Sequence, residues 1–183
     1  NMKVLLINPS SKIIKSNWIY KNFVSPIPPI GLGYLASVLE KNGIEVAVVD
    51  QVGEMISDDA VIKKIQEFSP QIIGFSCLTQ VINSTKLLIN KIRIHDKRIK
   101  IILGNIHPTL FADELLKEGA ADIIVRSEGE YTLLETALAI AGDKNLQTIQ
   151  GISFRTDGEV IHNPDRPFIE DLDQLPYPAW HLF

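Results

Sequence analysis

Ile99-Lys-Ile-Ile-Leu-Gly-Asn-Ile-His-Pro-Thr109 is the stretch on which the fold turns. Ile101-Ile102-Leu103 is a short apolar run, the signature of a strand buried on both faces of a parallel sheet. It stops at Gly104, where the missing side chain lets a ligand approach the backbone. A polar turn, Asn105 to Thr109, then leads into a helical pattern near Leu110. Strand, small residue, polar turn and helix start together describe the ligand edge of an open α/β sheet. Asn8-Pro-Ser-Ser11, Ser76-Cys-Leu-Thr79 and Ser127-Glu-Gly-Glu130 read as sister turns on that edge.

The same pattern repeats outward. Lys3–Asn8 predicts strand one, followed by a long loop with Trp18, Tyr20 and Phe23 that ends in Pro26-Ile-Pro-Pro29. Ile30–Lys41 carries apolar residues at helical spacing and ends at Asn42-Gly43, a C-terminal cap. Ile44–Asp50 is strand two. Asp58-Asp59 opens a helix with Ala60, Ile62, Ile65 and Phe68 inside, stopped by Pro70. Strands three and five fall at Gln71–Ser76 and Ala121–Arg126. The remaining helices fall at Ile82–His95, Leu110–Glu118 and Tyr131–Ile140. Five strand–helix alternations imply parallel pairing with right-handed crossovers. On the residues alone, a flavodoxin-like order 2-1-3-4-5 and half of a Rossmann sheet both remain open. After residue 142 the pattern changes. Ile149–Arg155 and Glu159–His162 predict a β-hairpin about Asp157-Gly158, and a proline-bearing linker follows. The expected division is an α/β domain over 1–142 and a hairpin with linker over 143–183.

With 183 residues, 45% hydrophobic and 22% charged, the chain can bury a real core. A net charge of −4 offers no general attraction to nucleic acid or an anionic membrane. The single cysteine, Cys77, excludes an internal disulfide, suits a reducing cytoplasm, and reads as a small buried residue just past a strand. The first strand is too short for a signal peptide, and no apolar run approaches the ~20 residues of a membrane span. Asn1 ahead of Met2 looks like a cloning remnant. The apolar ending Leu175-Pro-Tyr-Pro-Ala-Trp-His-Leu-Phe183 suggests a piece of a longer chain.

Gly31-Leu-Gly33-Tyr-Leu-Ala36 matches the dinucleotide pattern, with Asp50 placed as a ribose acid. That fingerprint needs strand one to turn straight into the glycines, and here strand one ends more than twenty residues earlier, so close helix packing is the better reading. His107 has no second ligand at metal spacing and reads as a hydrogen-bonding residue of its loop. Glu128 and Glu130 flank Gly129 at a helix start, where acids complement the helix dipole. Ser76 and Thr79 lack a nucleophile elbow and suit binding. An edge of Gly, Ser, Thr, Asn and Pro is made to hold a large ligand rather than to do acid–base work.

With these residues in view, the chain resembles the N-terminal cobalamin-binding domain of B12-dependent radical S-adenosylmethionine enzymes. That group includes anaerobic magnesium-protoporphyrin IX monomethyl ester cyclase and methyltransferases. The resemblance is carried by Leu5-Leu-Ile-Asn-Pro9, Pro28-Pro-Ile-Gly-Leu-Gly-Tyr-Leu-Ala36, Ile73-Gly-Phe-Ser76 with Leu78-Thr79, Gly104-Asn-Ile-His-Pro-Thr109, Glu128-Gly-Glu130, Gly151-Ile-Ser-Phe-Arg155, Asp157-Gly158 and Asp171-Leu-Asp-Gln-Leu-Pro-Tyr-Pro-Ala-Trp180. These lie in the family's order over nearly the whole chain. The chain departs from the family at Asn105, which replaces the second of two glycines, and at Ser127, which replaces the first glycine of Gly-Glu-Gly-Glu.

The resemblance implies a flavodoxin-like (Rossmann-like) doubly wound sheet, order 2-1-3-4-5, holding cobalamin over its carboxyl edge. The implied binding residues are Asn8, Pro9, Pro29, Gly31, Gly33, Ser76, Leu78, Thr79, Gly104, Asn105, His107, Glu128, Gly129 and Glu130. The D-x-H-x-x-G signature is absent after strand one, so no axial ligand of cobalt is implied, and His107 is expected at the rim. The C-x-x-x-C-x-x-C motif is absent as well, so a 4Fe-4S cluster and S-adenosylmethionine would belong to a catalytic part downstream. The expected partners are cobalamin and that downstream domain. The competing readings are a nicotinamide-dependent oxidoreductase domain and a cofactor-free flavodoxin-like regulatory or partner-binding domain.

Overall fold

The structure, a computed structural model, describes residues 2–11 and 27–183. The aromatic loop expected after the first strand falls mostly outside them. Five strands, β1 (Lys3–Asn8), β2 (Glu45–Asp50), β3 (Ile72–Ser76), β4 (Lys100–Gly104) and β5 (Ile123–Val125), pair in parallel in the order 2-1-3-4-5. The connecting helices are α1 (Ile30–Lys41), α2 (Asp58–Phe68), α3 (Ile82–His95), α4 (Ile106–Leu110), α5 (Ala112–Lys117) and α6 (Glu130–Ala141).

Successive strand residues point to opposite faces, so apolar strands feed two cores. Leu5, Ile7, Ile73, Phe75, Ile101 and Leu103 pack against α2, α3 and α5. Val4, Leu6, Ile72, Ile102, Ile123 and Val125 pack against α1 and α6. The helix expected over Leu110–Glu118 is α5, and the stretch expected as a polar turn, Asn105–Thr109, instead folds largely as the short helix α4, separated from α5 at Phe111 (φ −119°, ψ 33°). Pro108 is tolerated because it sits in the first turn of α4, where its missing N–H would have had no partner.

The hairpin lies against the sheet. β6 (Ile152–Thr156) pairs antiparallel with β5, and β7 (Glu159–His162) pairs with β6, giving seven strands in one sheet among the described residues. Asp157 (φ 50°) and Gly158 (φ 86°) both take the left-handed conformation that a two-residue hairpin turn requires. Beyond the hairpin the chain runs back as a strap over α6 and α1. Arg166 pairs with Glu135, and the Ile169 N–H donates to Glu128 Oε2 at 2.7 Å. The Ala179 N–H then donates to the Gly33 carbonyl at 3.0 Å, and His181 Nε2 meets Glu40 Oε1 at 3.0 Å. No helix among the described residues is long and apolar enough to cross a membrane.

Candidate functional site

Above the carboxyl ends of β1, β3 and β4, the first turns of α1 and α6 stand apart and leave a cavity of about 230 Å³. Its depth is apolar: Leu6 and Ile102 from the sheet, Leu32 and Leu35 from α1, and Val125 and Leu133. Its rim is polar: Ser76, Asn105, Ser127, Glu128 and Glu130. Glycines make the room. Among the described residues, a Cβ at Gly104 would meet only the Val125 carbonyl oxygen, at 3.7 Å. The packing of the described residues therefore does not demand glycine at 104, which lines the cavity. Gly74, in mid-strand, is tighter, since a Cβ there would come within 3.0 Å of Leu6.

The rim is tied together by side chains. Asn105 Nδ2 donates to Ser76 Oγ at 3.0 Å, and Asn105 Oδ1 accepts from the Ile106 N–H at 2.7 Å. Outside this pair, His107 Nδ1 lies 3.2 Å from Thr79 Oγ1, and its ring stacks on Phe111 at 4.6 Å. Asn105 sits at φ 82°, ψ −172°, a conformation that costs a residue with a Cβ roughly 1–3 kcal/mol. Ser127 is likewise left-handed, at φ 59°. Asn105 and Ser127, the two positions where the resemblance leads one to expect glycine, thus both take a positive φ.

Glu130 stands out electrostatically. Its Oε2 is buried without a hydrogen-bond partner among the described residues. Burial first, and the neighbouring Glu128 charge second, push its carboxyl above the ordinary range. Such a group at a cavity wall suits a donor on a ligand, an amide N–H for example. Cys77 is the opposite case: buried, its thiol donating to Thr85 Oγ1 at 3.8 Å, and pushed up to about 12 by desolvation. It is inert packing.

Of the residues expected in the site, Gly31, Ser76, Gly104, Asn105, Glu128, Gly129 and Glu130 line the cavity. Thr79 and His107 form the outer rim, and Leu78 beside them is 44% exposed. Four lie elsewhere. Asn8 donates to Asp50 Oδ1 at 2.8 Å, Pro9 is buried after β1, Pro29 starts α1, and Gly33 lies beneath the strap, where a Cβ would come within 3.0 Å of Pro178. That packing also accounts for the dinucleotide-like pattern, since Gly33 is covered by the strap and Ala36 belongs to the core. The apolar walls were not foreseen.

A family model described as the B12 binding domain matches residues 18–137. The anaerobic magnesium-protoporphyrin IX monomethyl ester cyclase of Rubrivivax gelatinosus is 32% identical over 99% of this chain and 33% of its own length. An uncharacterized methyltransferase of Pyrococcus horikoshii is 28% identical over 99% of this chain and 39% of its own. The chain thus spans well under half of these relatives. Among solved structures, the cobalamin-dependent S-adenosylmethionine radical enzyme OxsB, with aqua-cobalamin and S-adenosylmethionine bound, aligns over 97% of this chain and 24% of its own at a TM-score of 0.81 and 24% identity. The radical S-adenosylmethionine methyltransferase TsrM from Kitasatospora setae aligns over 90% of this chain and 30% of its own at 0.74 and 22% identity.

Proposed function

We propose that this chain, which belongs to the B12-binding domain family, is the cobalamin-holding module of a radical S-adenosylmethionine enzyme of the cyclase or methyltransferase type. Cobalamin is the cofactor of its family. The observation that carries the placement is the cavity at the ends of β3 and β4, apolar in depth and polar at its mouth. At about 230 Å³ it takes one bicyclic aromatic base and is far too small for a macrocycle. The nucleotide arm of cobalamin is therefore the part that enters, beside Gly104, with the corrin over the rim of Ser76, Thr79, His107 and Glu128–Glu130. Bound cobalamin would supply methyl-transfer or one-electron chemistry at cobalt. The chain's own residues exclude water below, orient the arm, and present hydroxyl and carboxamide groups to its polar atoms.

The module alone is not catalytic in this reading. The 4Fe-4S cluster and S-adenosylmethionine belong to the downstream catalytic part, which is also its partner, and a reducing cytoplasm is its setting. The test is to offer hydroxocobalamin to the purified chain and pass it through gel filtration. Co-elution with a shifted visible spectrum, and no comparable retention of NAD, is the expected result. Saturable NAD binding without cobalamin retention would replace this reading with the oxidoreductase one.

A further inference from the structure

Asn105 holds a glycine's backbone at the mouth of the cavity, and its side chain shows what keeps it there. The carboxamide is bonded at both ends, to the Ile106 N–H and to Ser76 Oγ. Ser76 and Gly104 are register partners on the last rung between β3 and β4. A bond from residue 105 back to Ser76 therefore bridges the two strand ends. Leu6 and Ile102 in the depth are 1% and 2% exposed, whereas Asn105 is exposed. The bridge thus lies on the solvent side, at the rim of the cavity that Ser76 and Asn105 both line.

We propose that Asn105 is a latch on the cavity. Its carboxamide closes over the Ser76 hydroxyl, and a polar group of the incoming nucleotide arm takes that hydroxyl in its place. This rests on the cobalamin reading above. Strain makes the closed state conditional, because a Cβ is tolerated at φ 82°, ψ −172° only while the side-chain bonds offset its cost. Once the Ser76 bond breaks, residue 105 relaxes and carries its carboxamide out of the path. A glycine at this position leaves the mouth open with nothing to release. Asn105 accordingly governs the rate of loading rather than the shape of the pocket.

The test compares the 183-residue chain with Asn105→Gly and Asn105→Ala. In stopped-flow mixing with hydroxocobalamin, both variants should load about three- to tenfold faster than the unmodified chain, the factor that one net hydrogen bond represents. Melting without cofactor separates strain from latch. Asn105→Ala keeps the strained Cβ without its bonds and should melt below both the unmodified chain and Asn105→Gly. In the cofactor-free chain, the Asn105 side-chain amide protons should exchange slowly in NMR and faster in Ser76→Ala. Loading at an unchanged or slower rate in both variants would overturn the latch and leave the cobalamin reading standing. Failure of every form, the unmodified chain included, to take up cobalamin would overturn that reading and the latch with it.

Discussion

Gly104 acts through the side chain it lacks. Among the described residues its flank is open, and it lines the cavity, so a larger residue there should harm the ligand before it harms the fold. Gly104→Val should weaken cobalamin binding by about tenfold or more, in line with the roughly 1–3 kcal/mol that overpacking costs, while the melting temperature hardly moves. Titration of the variant with hydroxocobalamin beside a thermal melt checks both halves, and normal binding would displace the pocket. Glu130 makes a pH prediction. Its folded carboxyl holds a proton to higher pH than the unfolded chain does. Its contribution to stability is therefore whole below the ordinary carboxylate range and is lost as pH rises through the raised value. Glu130→Gln should flatten that part of the stability–pH curve and be the more stable form at neutral pH, as read by denaturant titrations at several pH values.

At the scale of elements, β5 has only three residues and pairs with β4 on one side and the hairpin on the other. Arg126 fastens β5 to the hairpin, donating to the Ile152 carbonyl, Ser153 Oγ and the Asn163 carbonyl, and pairing with Asp165 at 2.8 Å. Its side chain is 11% exposed; removing it takes the donor from the Asn163 carbonyl, whereas the Ile152 carbonyl keeps the Asn163 N–H and Ser153 Oγ keeps His162 Nδ1. Arg126→Ala should cost about 1–3 kcal/mol, seen as a lower urea midpoint with little change in slope. Elements of this kind were legible to different degrees. The helix over Ile82–His95 and the Asp157-Gly158 turn could be read from spacing and turn chemistry alone. The attachment of the hairpin to β5 could not, because nothing local in Ile152–Thr156 names its neighbour. The cavity was half legible. Its polar and glycine rim sits where strands end, but its walls, Leu6 and Ile102, belong to strands apolar on both faces, where no alternation marks which side a residue serves. The short helix α4 was hidden because Asn105 and Pro108 read as turn residues, whereas Pro108 falls in the first turn of a helix.

Across the whole molecule, the strap from Asn163 to Phe183 crosses the two helices that wall the cavity. Gly33 is its tightest seat: a Cβ there would stand 3.0 Å from Pro178, and the carbonyl anchors the Ala179 N–H. Gly33→Leu should therefore lift the end of the strap and leave the sheet intact. Chymotrypsin should then cut after Trp180 several-fold faster with little change in melting temperature, and an unchanged cleavage rate would show the seat to be unimportant. The strap also sets a load path. Tension applied at Phe183 passes through the Ala179–Gly33 and His181–Glu40 ties into α1, and the first turn of α1 is one jaw of the cavity. Further back, the Ile169–Glu128 bond delivers what remains to the other jaw, at the start of α6. The strap thus fastens the C-terminal stretch to both jaws at once.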